Sequence, residues 1–146
     1  MPYIKTTNGT ATEYTLAQLR SDNSNTSFPE SMPSNVLAAY DVYEYTISDR
    51  PAYDGDTQYL SEAAFVQGSD GNWSRGWVVN NLGQSVAEEN VRATRNELLA
   101  DSDWTVLSDS PLSDADKLLW ETYRTNLRNL TAQGGFPFSV TYPTKP

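Results

Sequence analysis

The hydrophobic pattern of this chain changes its period at Leu82–Gly83. Before this point, apolar and aromatic residues tend to alternate with polar ones, which is typical of strands with one buried face. After it, apolar residues recur every three or four positions, which is typical of amphipathic helices. The pattern therefore predicts an α+β protein with two domains, a β-rich domain over residues 1–82 and a helical domain over residues 83–146.

The amino-terminal domain is predicted to be a small antiparallel β meander with short helices at its amino-terminal side. Residues 1–12 are polar and indicate an edge strand or a loosely held terminus. Thr15 can cap one short helix and Ser34 a second. Gly68–Gly71 is a strong turn signal between two strands. The strands are expected at residues 42–47, 57–66 and 72–80, and in the first of them Tyr43, Tyr45 and Ile47 form the predicted core face.

The carboxyl-terminal domain is predicted to be an antiparallel helical hairpin followed by an extended, proline-rich tail. The first helix covers residues 85–100, and the second begins after the cap Ser113 and ends near Leu130. Gly134–Gly135 stops the second helix, and the prolines of residues 136–146 favour an extended path. The apolar stripes consist of Val86, Ala87, Val91, Thr94 and Leu98 in the first helix, and of Leu119, Trp120, Tyr123, Leu127 and Leu130 in the second.

Charge and composition exclude several classes of function. The net charge of −9 repels phosphate backbones and anionic lipid head groups, so we expect neither a nucleic-acid nor a membrane partner. Cysteine and histidine are both absent, which excludes the Ser-His-Asp and Cys-His arrangements and the usual zinc sites. Asp54–Asp56 and Asp101–Asp103 resemble only part of a calcium loop. We predict no catalytic residues, no metal site and no cofactor.

Aromatic residues are the other feature with functional meaning. They make up 12% of the chain, including four Trp and nine Tyr, and must supply much of the buried surface. Trp73 and Trp77 on one strand face are either core residues or a platform for stacking sugars. A helical pair of about 45 residues is too small to be stable alone. It therefore needs the β domain, a second copy of itself or a partner protein.

The carboxyl-terminal sequence resembles the phage tail fibre assembly chaperone family over roughly residues 88–146. An arginine-rich helix ends in Leu98-Leu99 and is followed by Asp103-Trp104. The second helix carries the pattern Trp-x-x-Tyr-Arg-x-x-Leu-Arg from Trp120 to Arg128, and the tail carries Phe136-Pro137 and Tyr142-Pro143. At position 142 this chain has Tyr before Pro143, where the family often has Trp before Pro. The resemblance implies a protein without catalytic residues that binds the tail fibre protein in the host cytoplasm and assists its folding or trimer assembly.

We expect the partner to be bound by aromatic anchors and by arginines, since interface energy is concentrated in Trp, Tyr and Arg. The alternative for each ring is a place in the core of the hairpin. Self-association is a further option. Other functions left open are a structural tail protein retained in the virion as a fibre clasp or adaptor, and a carbohydrate-binding module. The predicted partner-binding residues are Trp104, Trp120, Tyr123, Arg124, Leu127, Arg128, Phe136, Pro137, Tyr142 and Pro143.

Overall fold

A computed structural model describes all 146 residues, which form two compact units. Unit 1 consists of Met1–Ala52 and Leu60–Val78, and unit 2 of Tyr53–Tyr59 and Val79–Pro146. Unit 2 therefore contains a short segment from the middle of the chain in addition to the carboxyl-terminal part. The predicted domains, 1–82 and 83–146, stay a prediction, because compactness alone does not show that either part folds independently.

The five strands are β1 (Tyr3–Thr7), β2 (Thr10–Tyr14), β3 (Val42–Ile47), β4 (Gln58–Gln67) and β5 (Trp73–Asn81). Their order in the sheet is β2-β1-β3-β5-β4. β1 pairs in antiparallel fashion with both β2 and β3, whereas β3 pairs in parallel with β5. The α+β class is thus confirmed, but the purely antiparallel meander is wrong. The reason is that β5 folds back from the turn after β4 and lies between β3 and β4.

The first strands form a hairpin that the sequence analysis did not predict. Asn8 and Gly9 both have positive φ, 51° and 79°, as a tight two-residue hairpin turn requires. β1 lies inside the sheet and buries Ile4 completely. The prediction of an edge strand or a loose terminus is therefore wrong for β1, although β2 is an edge strand. Asn-Gly is the local signal that could have revealed the hairpin.

Two short helices cover part of unit 1. The predicted cap of α1 (Leu16–Asp22) is confirmed, because Thr15 accepts a hydrogen bond from the backbone N–H of Gln18 and forms a capping box with it. In α2 (Ser34–Ala38), the capping position is occupied by Pro33, and no side chain caps the helix. The prediction that Ser34 caps this helix is therefore wrong.

The core of unit 1 is centred on Leu19, Leu37 and Val42, which are all fully buried or nearly so. Val42 begins β3 and packs against the two helices, so the buried positions of this strand do not alternate as expected. Tyr45 is buried against the ring of Phe65, with the centroids 4.8 Å apart, but Ile47 is exposed. The predicted core face is thus correct for Tyr45, wrong for Ile47, and only half-buried at Tyr43.

Unit 2 contains the predicted helical pair. α3 runs over Gln84–Asp101 and α4 over Asp114–Arg128, with 3₁₀ turns at Asp103–Val106 and Leu130–Ala132. The predicted cap of α4 is confirmed, since the Ser113 hydroxyl accepts from the backbone N–H of Asp116 at 3.2 Å. Val86 and Leu119 belong to the predicted stripes but are exposed. For Leu119 the reason is that α4 extends beyond the core, because none of residues 114–119 is buried.

The carboxyl-terminal tail does not follow the predicted extended path in its first part. Residues 134–138 form consecutive turns, and the backbone N–H of Ser139 donates to the carbonyl of Gly135 at 2.7 Å. The side chain of Gln133 then exchanges two hydrogen bonds with the backbone of Thr141, at 2.8 and 2.9 Å. Pro137 is fully buried. The tail is therefore an integral part of unit 2, and the prediction of an extended segment is wrong for residues 136–139.

Candidate functional site

An aromatic cluster fills the interior of unit 2. Trp120, Tyr123 and Leu127 are buried on one face of α4, and Leu98 and Leu99 at the end of α3 pack against them. The ring centroids of Trp120 and Tyr123 lie 5.6 Å apart at 89°, the edge-to-face geometry that aromatic pairs prefer. Leu112 and Tyr142 complete the cluster. These rings therefore close the core of the helical pair itself.

Arg124 ties the end of α3 to the middle of α4. Its side chain is buried, and Nη1 donates to the carbonyl of Leu99 and to the hydroxyl of Ser102, both at 2.6 Å. Nη2 donates to the carboxylate of Asp103 at 2.7 Å. The cation thus adds hydrogen bonds to a carbonyl and a hydroxyl group at the end of α3, where a positive charge also interacts favourably with the helix dipole. It fixes the start of the 3₁₀ turn that carries Trp104.

The tail is held on the same unit by its aromatic residues. Tyr142 packs on the aromatic cluster, and its hydroxyl donates a long hydrogen bond of 3.4 Å to Asp56. Burial, followed by the negative charge of Asp56, raises the pKa of Tyr142 to about 12. The Arg92 guanidinium lies over the ring of Phe136 at 5.1 Å. These contacts explain why residues 53–59 and the tail belong to one unit.

Several large apolar side chains of unit 2 remain in contact with solvent. Trp104 packs edge-to-face on Trp120 with the centroids 5.7 Å apart, yet it is 44% exposed, whereas Trp120 is only 7% exposed. Leu118 and Leu119 are 64% and 56% exposed on the first turns of α4. We define the apolar surface as two exposed stretches of unit 2, Trp104 with Val106 and Leu107, and Leu118 with Leu119.

The ten residues predicted to bind a partner thus have different surroundings. The exposed or half-buried ones are Trp104, Arg128, Phe136, Tyr142 and Pro143, and those in the interior are Trp120, Tyr123, Arg124, Leu127 and Pro137. Whether any of them contacts a partner stays a prediction.

The sequence analysis missed four members of the apolar surface as partner-binding candidates: Val106, Leu107, Leu118 and Leu119. The first two are apolar residues in an otherwise polar linker, which was an available signal. Leu118 lies outside the apolar stripe of its helix. Leu119 was assigned to that stripe and therefore to the core.

The other candidate sites are engaged in local contacts. Trp77 in unit 1 donates from Nε1 to the carbonyl of Ser48 at 3.0 Å, and Arg50 lies over its ring at 4.6 Å. The Asp54 carboxylate accepts from the backbone N–H of Asp56 and from the hydroxyl of Thr57, both at 3.0 Å. No group of three or more Asp or Glu residues is arranged to hold a metal ion. None of the helices combines the length and apolarity required to cross a bilayer.

Comparison with known proteins gives one match. Residues 88–146 match the model of the family described as phage tail assembly chaperone protein. This segment contains nearly all of α3, all of α4 and the tail, and therefore the whole aromatic cluster and the apolar surface. The match confirms the resemblance of the carboxyl-terminal sequence to a tail assembly chaperone family. No curated protein and no solved structure matches the chain.

Proposed function

We propose that this chain, whose residues 88–146 match the phage tail assembly chaperone family, binds a tail fibre protein during assembly and assists its folding or trimer formation. The proposed place of action is the cytoplasm of the host, and the proposed role requires no catalytic residue. Fibre subunits expose apolar surface and strand edges before their chains associate, and such species aggregate. A small acidic protein that covers this surface would keep the subunits available for assembly.

The observation that carries the proposal is the apolar surface within the matched segment. Grouped exposed apolar side chains are typical of protein-binding sites, and each of the two stretches groups two or three of them. The buried members of the predicted site have a supporting role here. Arg124 binds Asp103 at the start of the 3₁₀ turn, and the ring of Trp120 packs against one side of Trp104. Both contacts restrict the orientation of Trp104.

The exposed members are the proposed contacts. Trp104 is the central anchor, since a rigid ring supported on one side provides large contact area at low entropic cost. Arg128 is exposed on α4 and takes part in none of the ion pairs, so it is available to a carboxylate of the partner. Phe136 and Pro143 in the tail are partly exposed and form the proposed periphery of the contact.

Co-expression with the tail fibre protein of the same phage tests this function. The variant Leu118→Gln/Leu119→Gln removes two apolar side chains but keeps good helix formers. The control Ile47→Thr/Val66→Thr removes two apolar side chains of similar exposure from strands of unit 1. The soluble yield of the fibre protein and its co-purification with each variant are measured, together with the thermal stability of each variant alone.

We expect wild type and control to retain the fibre protein, and the α4 variant to lose it. Since exposed substitutions change stability by only about 0.5 kcal/mol, the α4 variant should melt close to wild type. Full retention of the fibre protein by a folded α4 variant would contradict the proposed site. If wild type neither binds the fibre protein nor raises its soluble yield, the proposed function itself is wrong.

A further inference from the structure

A polar cavity of about 420 Å³ lies in unit 1, outside the segment that matches the chaperone family. The hairpin of β1 and β2, the start of β3 and the hairpin of β4 and β5 contribute to its lining. Its volume is within the range of about 300–1,000 Å³ that is usual for small-molecule sites. The side chains that line it are those of Thr6, Asn8, Asp41, Tyr43, Gln67 and Trp73.

Two of these side chains are aromatic and lie against each other. The ring centroids of Tyr43 and Trp73 are 6.3 Å apart, with the ring planes inclined at 37°. The indole N–H of Trp73 is buried and has no acceptor within the protein. A buried Trp N–H usually has a partner, and an exception in a native structure calls for an explanation. The protein itself therefore does not complete the hydrogen bonding around this ring.

The polar side chains of the cavity also keep free hydrogen-bonding groups. The Asp41 carboxylate, the Asn8 amide and the Thr6 hydroxyl make no hydrogen bond or ion pair within the protein. Gln67 donates to the carbonyl of Gly71 at 3.0 Å, which leaves its amide oxygen available. The backbone N–H of Thr6 donates to the carbonyl of Asp41 at 2.9 Å and holds these two residues side by side. Donors and acceptors are therefore presented together around one cavity.

The chemistry of these groups selects among classes of ligand. An anion is disfavoured, because the only charged side chain that lines the cavity is the carboxylate of Asp41. An ammonium group is a donor only, so it would leave the donors of Asn8 and Thr6 without a partner. A flat heterocycle finds no slot between parallel rings, since Tyr43 and Trp73 lie against each other at 37°. A hydroxyl group is both donor and acceptor, so a neutral sugar matches the mixed set of groups.

We propose that the polar cavity binds a neutral sugar. The carboxylate of Asp41 accepts hydrogen bonds from two neighbouring hydroxyl groups, and the amide of Asn8 bonds a further one. The C–H face of the sugar ring packs on Trp73. Tyr43 is the second aromatic residue of the site, because Trp77 does not line the cavity. This binding activity goes beyond the proposed chaperone function and does not depend on it.

Titration of the isotope-labelled full-length chain with the methyl glycosides of glucose, galactose, mannose and N-acetylglucosamine tests the inference. NMR spectra follow the indole N–H signal of Trp73 and the backbone amide signals of Asn8 and Asp41. Butylammonium is titrated separately as a cationic probe that has no acceptor. We expect at least one glycoside to shift these signals in a saturable way, and butylammonium to leave them unchanged.

Three variants are compared with wild type, and the thermal stability of each is measured. Asp41→Asn removes the charge, and Asn tolerates the positive φ of 57° at this position. Because hydrogen bonds to a charged acceptor are about twice as strong as neutral ones, this variant should bind about tenfold more weakly. Trp73→Phe removes the N–H and part of the ring face and should also bind more weakly. The control Asp49→Asn changes an exposed carboxylate of unit 1 outside the cavity and should bind as wild type does.

Three outcomes would overturn the inference. The first is that none of the four glycosides shifts the signals of the cavity residues. The second is that butylammonium shifts the same signals as strongly as the glycosides do. The third is that a folded Asp41→Asn variant binds with the affinity of wild type, and this variant decides the question even if Trp73→Phe does not fold. None of these outcomes affects the proposed function, which is tested by substitutions in α4.

Discussion

Arg124 and Arg128 lie one helical turn apart on α4 and have opposite surroundings. Arg124 is buried and donates to Leu99, Ser102 and Asp103, whereas Arg128 is exposed. In sequence the two are equivalent, because both stand in the second half of a helix with a spacing of four residues. The difference arises from what packs against each position. The sequence therefore predicts the helix and its face, but not which arginine the core requires.

Replacing Arg124 with Ala should lower the free energy of unfolding by about 2–4 kcal/mol, because a hydrogen bond made by a charged group contributes about 1.5–3 kcal/mol and the buried side chain also loses its packing. The exposed Asp103 contributes little to this loss, since the exposed end of an ion pair is screened by water. Arg128→Ala is the matched control and should change stability by less than about 0.5 kcal/mol. Urea unfolding of both variants checks the prediction. Equal stability of the two would refute the structural role of Arg124.

Glycine is required at position 135 because the backbone of Ser139 lies too close to leave room for a side chain. A Cβ atom at this position would collide with the carbonyl oxygen of Ser139 and lie 2.9 Å from its Cβ, whereas a Cβ at Gly134 would meet nothing within 4 Å. Gly135→Ala should therefore destabilise the protein by about 1–3 kcal/mol, the usual range for overpacking. Gly134→Ala should have little effect. Chemical denaturation of the two variants compares them directly, and similar curves would show that the turn at Gly135 tolerates a side chain.

At the scale of elements, the helices are easier to predict from the sequence than the pairing of the strands. The bounds of α3, the cap of α4 and the burial of Trp120, Tyr123 and Leu127 follow from periodicity and capping chemistry. The parallel pairing of β3 with β5 does not follow, because alternation reveals a strand and its faces but not its neighbour. The extended path of the tail was predicted from its prolines. The first part of the tail instead forms turns, which the absence of a side chain at Gly135 permits.

The docking of the tail should depend on pH through Tyr142. An unperturbed tyrosine has a pKa of 10.0, whereas the pKa of Tyr142 is raised to about 12 by burial and by Asp56. The folded state thus holds this proton more tightly than the unfolded state does. Stability from this group is complete below pH 10 and is lost as pH rises from about 10 to about 12. Burial and a hydrogen bond to Asp22 raise the pKa of Tyr14 in unit 1 in the same way.

The variant Tyr142→Phe keeps the packed ring and removes the ionisable group. Its stability should therefore fall less steeply between pH 10 and pH 12 than that of wild type, with the remaining slope due to Tyr14 and Tyr45, whose pKa values are also raised by burial. Tyr59→Phe removes an exposed tyrosine of the same unit and should keep the wild-type slope. Unfolding measured at several alkaline pH values provides the comparison. If the stability of wild type and that of Tyr142→Phe fall equally with rising pH, the role of this proton is contradicted.

At the scale of the whole molecule, stabilising and binding roles are assigned to different residues of the same segment. The aromatic cluster and Arg124 stabilise unit 2, and the five exposed residues of the apolar surface are the proposed contacts of a partner. The predicted resemblance of residues 88–146 to a tail assembly chaperone family is confirmed by the family match. The sequence does not separate core rings from exposed ones, because exposure depends on the surrounding packing: Trp104 and Trp120 contact each other, yet they are 44% and 7% exposed.

Hydrogen exchange of the full-length chain, measured with and without the tail fibre protein, tests the central claim most directly. The apolar surface is proposed to be where the partner binds, so the amides of residues 103–107 and 114–121 should exchange more slowly in the complex. The sheet of unit 1 should exchange at an unchanged rate. Protection confined to the strands of unit 1, with none in these two segments, would contradict the account.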